Sequence, residues 1–281
     1  MHVTRHLDPD AFLAAAAPMS ARGEASASFF IGWAHAVKRN PPKAAERVYF
    51  ATFADGDRRG AAIQRDEGPV LIGQSDPTVA VAFAEDLAAD WPDLQGVSGA
   101  PKACAAFAQR WYELTGREFK LRVRLRQHSL TAVSKVPSAP GAPRMATEAD
   151  IDWLIEHGLA FVTEAGLPDS PRRVREHIVE RAGRGDYRIW EDGDRVAYAG
   201  FGDAAPDFAR IAPVYTLPHG RRRGYATALV AALSRELLRR GKRKLFLTTD
   251  VANPTSNAIY ARIGFCVECE ECGLDFIAPR A

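Results

Sequence analysis

Two periods of hydrophobic and polar positions alternate along this chain. In "FARIAPVYT" (208–216) and "KLFLTTD" (244–250), apolar residues crowd into short runs, the pattern of buried strands. Between them, "GYATALVAALSRELLRR" (224–240) sets Ala226, Leu229, Val230, Leu233 and Leu237 at helical spacing. Arg239 and Arg240 suit the negative end of that helix, and Gly241 suits the position just past it. A second helix is predicted over "PTSNAIYARI" (254–263), with Asn253 as N-cap, Pro254 in the first turn and Gly264 as its stop. The first half repeats the order strand, helix, strand, helix in "PVLIGQ" (69–74), "TVAVAFAEDLAAD" (78–90), "LQGVSG" (94–99) and "KACAAFAQRWYEL" (102–114). Such alternation implies an α/β fold with crossover connections, duplicated along the chain.

The proline-rich stretch "VPSAPGAPR" (136–144) reads as a linker between a first domain, 1–135, and a second, 145–281. Just before it, "EFKLRVRLRQ" alternates Phe119, Leu121, Val123 and Leu125 with arginines at 122, 124 and 126, a half-buried strand with the arginines on its solvated face. The chain has 281 residues, 47% hydrophobic and 26% charged, which suits a soluble globular protein with a sizeable core. Its net charge of only +2 gives no global attraction to nucleic acid or to a membrane surface. No apolar run reaches the length of a membrane span, and the alanine-rich N-terminus is too weak for a signal peptide, so the expected location is cytoplasmic.

Charge is concentrated locally. Arg221, Arg222 and Arg223 crowd against the start of the helix at 224–240, where the helix dipole is already positive. An anion from outside the chain would resolve that conflict. Gly224 and Ala226 lack bulky side chains, so a ligand can approach the amides of the first turn, Tyr225 and Thr227 included, and arginine forks suit phosphate. On the next helix Asn253, Asn257 and Tyr260 share one face while Ile259 and Ile263 share another, a polar stripe beside an apolar one.

A strand, a turn and then Arg221-x-x-Gly224-x-Ala226 at a helix start resembles the acetyl-CoA signature of the GNAT N-acetyltransferase superfamily. "NPTSNAIYARIGF" (253–265) is similar to the later segment of that family, and "VYTLP" with "TDVANPTSNAIY" (249–260) is similar to a bacterial subgroup of predicted acetyltransferases that carry a degenerate N-terminal GNAT-like domain. The resemblance covers about 145–270 in sequence. It implies two GNAT-like domains, each a mixed, mostly antiparallel twisted sheet flanked by helices. It further implies acetyl-CoA as co-substrate, held at Arg221–Thr227, with Asn253 and Asn257 touching it. Amides of Val214, Tyr215 and Thr216 would meet the pantetheine and the acetyl oxygen, and Tyr260 would protonate the leaving thiolate. The expected reaction is direct transfer of acetyl to a primary amine on a small molecule.

No general base is legible on the strand; Glu164, Asp203 and Asp207 are loose candidates, and a water relay would serve equally. Two other readings stay open: a regulator that binds acetyl-CoA without transfer, and a nucleic-acid module using the basic segment 221–244, which no recognition motif accompanies. Cys266, Cys269 and Cys272 are spaced like part of a metal site, yet "GFCVECEECGLDFI" reads better as two short strands joined by a turn, and no metal is expected. The first domain is expected to bind no coenzyme. Only "SDP" joins its strand to its helix, with an acidic Asp76 at the anion position, and "DGDRRGAA" (55–62) reads as a hairpin turn.

Overall fold

The computed structural model describes residues 2–20, 24–42, 46–65, 68–167 and 170–277. One order of ten strands and helices occurs twice. The first run is β1 (His2–Arg5), α1 (Pro9–Ser20), α2 (Glu24–Arg39), β2 (Val48–Asp55), β3 (Arg58–Arg65), β4 (Pro69–Gly73), α3 (Pro77–Ala88), β5 (Gly96–Gly99), α4 (Pro101–Thr115) and β6 (Phe119–Leu130). The second is β7 (Ala142–Met145), α5 (Ile151–Glu164), α6 (Pro171–Gly183), β8 (Tyr187–Asp192), β9 (Asp194–Ala205), β10 (Phe208–Thr216), α7 (Tyr225–Arg239), β11 (Lys244–Asp250), α8 (Pro254–Ile263) and β12 (Cys266–Phe276). Two short 3-10 turns, Glu148–Asp150 and Pro218–Gly220, are added in the second run.

The compact units do not follow a single cut. One comprises 1–128, 248–253 and 267–281; the other comprises 129–247 and 254–266. The linear halves 1–135 and 145–281 are therefore modified by an exchange: β12 lies in the first unit, antiparallel to β5 from Cys272↔Gly99 to Asp275↔Gly96. The proline-rich linker also does more than connect. Its end forms β7, paired with β8 from Ala142↔Glu191 to Met145↔Arg188, and the Trp190 indole donates to the Pro140 carbonyl at 2.7 Å. An edge strand tolerates Pro143 because its missing N–H faces no partner.

In the first unit β1, β2, β3 and β4 are antiparallel, β5 is parallel to β4, and β12 and β6 follow. Alternate residues feed two cores: Phe50 and Ile63 meet Phe12, Phe30 and Val37 of α1 and α2. Val70, Ile72 and Val97 meet Phe83, Leu87, Phe107 and Trp111 of α3 and α4. The arginines of β6 are not simply solvated. Arg122 pairs with Asp275, and Arg124 and Arg126 pair with Glu270, while Phe119 and Leu121 are exposed. The cysteine segment is one strand rather than two. Pleating sends Cys269 to the face opposite Cys266 and Cys272, and the Cys104 thiol donates to the Cys272 carbonyl at 3.6 Å. Among the described residues no three His, Cys, Asp or Glu side chains converge as metal ligands.

In the second unit β7, β8, β9 and β10 are antiparallel and β11 is parallel to β10. Leu154, Ile155, Val174 and Ile178 of α5 and α6 cover one face through Tyr187, Ile189, Tyr198 and Tyr215. Leu229, Val230, Leu233 and Leu237 of α7 cover the other through Val196, Ala197, Ala199 and Leu245, joined by Ile263 of α8.

Candidate functional site

The second unit contains an opening in its sheet. β10 pairs with β11 only at Phe208↔Lys244, Ala209↔Leu245 and Arg210↔Phe246, and then runs on to Thr216 without it. Its other edge stays bonded to β9, with a bulge between Ile211 and Val214. Leu217 N–H donates to Val196 O at 3.0 Å in the register that pairs Tyr215 with Tyr198. Alternation along an antiparallel ladder then commits the Tyr215 amide to β9 and turns the amides of Val214 and Thr216 toward the opening. Of the three amides expected to serve a ligand, Tyr215 is thereby reassigned to the sheet. Thr216 adds a group not anticipated from sequence: its buried Oγ1 has no hydrogen-bond partner among the described residues.

Immediately after this strand the chain makes a turn with two left-handed residues, Arg222 at φ 63° and Gly224 at φ 85°. Gly224 is the N-cap of α7 and offers no side chain to its first amides. The ladder of α7 begins with Ala228 N–H on Gly224 O at 3.0 Å, so the amides of Tyr225, Ala226 and Thr227 precede the first intrahelical bond. A Cβ placed on Gly224 would meet only the Ala139 methyl at 3.9 Å, which leaves open space over those donors. Tyr225 itself is buried, with its hydroxyl on Asp192, and Thr227 is buried too.

The arginine cluster is arranged differently from the expectation. Arg221 lies 2.6 Å from Glu164 Oε2 and donates to Thr216 O at 3.2 Å, and Arg223 lies 3.1 Å from Asp192 while its guanidinium sits 5.0 Å from the Tyr225 ring. Two of the three charges are thus matched inside the chain, by carboxylates at the ends of α5 and β8 that no local pattern connects to the turn. Arg222 alone has no carboxylate partner among the described residues. Glu164 also accepts from the Tyr215 hydroxyl at 2.5 Å; that bond, with Arg221, holds its carboxyl below the ordinary glutamate range. Burial, and then that same hydrogen bond, pushes the Tyr215 phenol up.

On α8 the expected stripe becomes a gradient: Asn253, just ahead of the helix, is exposed, Asn257 is half-buried and Tyr260 is buried. The separation of polar and apolar faces is not kept at Tyr260. It shares the apolar cluster with Ile263, three positions on, and meets Phe265 edge-on at 5.9 Å. Burial pushes its phenol well above the ordinary value, so it holds its proton at neutral pH. The loose base candidates are all engaged: Glu164 as above, Asp203 with Lys242 at 2.7 Å and Asp207 with Arg243 at 2.9 Å.

The sequence profile of the acetyltransferase (GNAT) family matches residues 152–265. No curated protein matches the chain. Among solved structures the chain is similar to a Drosophila protein (16% identity, 99% of each chain, TM-score 0.66). It is also similar to a GCN5-related N-acetyltransferase from Sphaerobacter thermophilus (18%, 100% of this chain and 96% of that one, TM-score 0.59). A third is a tandem GNAT protein from the clavulanic acid biosynthesis pathway (14%, 90% and 88%, TM-score 0.52). These likenesses carry the fold, and the repeated ten-element order is that of two GNAT-like domains. The profile match identifies residues 152–265 as a GNAT acetyltransferase domain, and the opened pair β10–β11 and the turn at 221–226 both lie within it.

Proposed function

We propose that the second unit binds acetyl-CoA and transfers its acetyl group to a primary amine of a small molecule. One observation carries this reading: β10 parts from β11 directly before a helix start whose amides have no side-chain cap. Such amides, with the dipole behind them and Arg222 beside them, suit a diphosphate. The chemistry needs little else. The amine nitrogen attacks the thioester carbonyl carbon, and the oxyanion that forms accepts from an amide of the opened strand, Val214 or Thr216. The carbon–sulfur bond then breaks and the sulfur takes a proton from Tyr260, while the nitrogen gives its proton to a water relay. Asn257, half-buried on the same helix, would touch the coenzyme, and exposed Asn253 to a lesser degree.

A binding protein without transfer is the second reading, favoured by the ion pairs that occupy Glu164, Asp203 and Asp207. An amine panel assayed for free thiol release from acetyl-CoA separates the two. Turnover with some amine is expected; coenzyme binding with no amine accepted would favour the regulator. The nucleic-acid reading predicts a salt-dependent shift of DNA, and none is expected. Among the described residues no helix is long and apolar enough to cross a membrane, and we place the protein in the cytoplasm.

A further inference from the structure

Under β8, β9 and β10, on the face covered by α5 and α6, lies a guanidinium with its best hydrogen-bonding edge unused. Arg181 of α6 is only 6% exposed. Its Nη1 donates to His177 Nε2 at 2.9 Å, and a protonated guanidinium leaves that ring nitrogen no role but acceptor. Among the described residues Nε and Nη2 have no hydrogen-bond partner, and neither has the hydroxyl of fully buried Tyr187, whose ring lies 5.1 Å from the guanidinium. Among the described residues its carboxylate partner, Asp186, is 4.0 Å from Nε and is itself held by Arg184 at 2.8 and 2.9 Å. Each buried donor left unmet costs about 1–3 kcal/mol, more when it is charged. Two such donors on one guanidinium edge and a third on the ring beside it call for a partner from outside the described side chains.

The place of this fork says what the occupant is for. Gly200 pairs with Tyr187 and lies opposite the bulge of β10. A Cβ there would stand 3.0 Å from Arg181 Nη2 and 2.9 Å from the carbonyl of Ala212. The fork therefore lies near the Ala212 carbonyl, on the stretch of β10 that has left β11, and Ala212 is exposed to solvent. Nε and Nη2 together form the edge of a guanidinium that matches the two oxygens of a carboxylate, with the Tyr187 hydroxyl as a third donor.

We propose that Arg181 and Tyr187 recognise a carboxylate on the acceptor, so that the substrate is an amino acid rather than a simple amine. This rests on the proposed acetyl transfer. The test uses the full chain and matched probes: free amino acids of varied side chain and spacer length, and the primary amide of each. Turnover is followed as acetyl-CoA-dependent thiol release, and binding of the same probes by calorimetry with and without coenzyme A. The acids are expected to exceed the amides by about 100-fold in kcat/KM or in affinity, the scale of two charge-assisted bonds. Arg181→Gln should erase that preference and leave the amides unchanged. Tyr187→Phe, a milder change if Arg181→Gln fails to fold, should raise the KM for acids several-fold and leave that for amides alone. Equal treatment of acids and amides, an acid preference that survives in either variant, or no acid bound or turned over at all would overturn the proposal, a buried water being then the occupant. A protein that binds acids but not acetyl-CoA would instead defeat the acetyl-transfer reading and leave the fork assigned.

Discussion

The two units share an order of elements and differ where a parallel strand pair meets the next helix. In the first unit β4 stays on β5 to its last residue, Gly73↔Gly99, and Ala100 N–H adds a further bond to Gly73 O at 2.8 Å. A Cβ on Gly99 would stand 2.7 Å from that carbonyl, so nothing fits in the seam. Three residues then lead to α3, whose N-cap carboxylate, Asp76, accepts from Thr78 N at 2.8 Å. The hydrogen bond from the Thr78 hydroxyl, and then that from its amide, hold Asp76 below the ordinary aspartate range, so it stays anionic where a phosphate would have to sit. In the second unit the pair parts after Arg210↔Phe246, eight residues lead to α7, and the N-cap is a glycine without a side chain. One seam is satisfied by the unit's own groups; the other leaves donors unsatisfied, and there we propose the coenzyme site.

Breaking the open seam should produce the largest effect. Gly224→Val puts a β-branched side chain at φ 85° and over the free amides. We expect acetyl-CoA affinity to fall by about 100-fold or more, since at least two bonds to a charged group are lost. The fold should survive, because only the Ala139 methyl stands nearby; calorimetry together with thermal unfolding checks both halves of this. Tyr260→Phe sharpens the comparison on the chemical side, since α4 in the first unit carries no counterpart of the Asn253–Asn257–Tyr260 stripe. Turnover should drop about 100-fold, the range for a positioned acid, with coenzyme affinity little changed.

Changes to the closed seam should act on stability alone. Asp76→Ala removes the cap of α3 and should cost about 1 kcal/mol, read by denaturant unfolding, while acetyl-CoA affinity stays as it was. Smallest of all is Glu164→Gln. It frees Arg221 from an exposed ion pair and should tighten acetyl-CoA binding only two- to three-fold, with the gain fading as salt rises. The carboxyl is held low, so its pairing persists through neutral pH and is lost as pH falls through its folded value. The wild type should therefore approach the variant's affinity only in acid.

Much of this was legible in the chain. Helices α7 and α8 follow from their spacing, from Gly224 and Gly264, and from Pro254, because those signals are local. The turn at 221–226 was legible for the same reason. The exchange of β12 was not, since a strand's own pattern of Cys, Val and Leu suits any sheet and records no partner. Nor were the carboxylates beside the arginines: Glu164 is 57 residues from Arg221 and Asp192 is 31 from Arg223, too distant for any periodicity to join them. The depth of Tyr260 was not legible, because helical spacing alone does not say how far a partly polar stripe sinks into a core. Arg181 escaped notice as one arginine among several on a basic helix; only burial distinguishes it.

The central claim is that one of two like units was left open for a coenzyme. A fragment ending at residue 135 lacks β12 and 248–253 and so does not represent the first unit, which makes the full chain the right material. Acetyl-CoA titrated into the full chain by calorimetry, beside Gly224→Val, tests the claim most directly. One site per chain, abolished in the variant, is the predicted result. Two sites, or one site that persists in folded Gly224→Val, would contradict it.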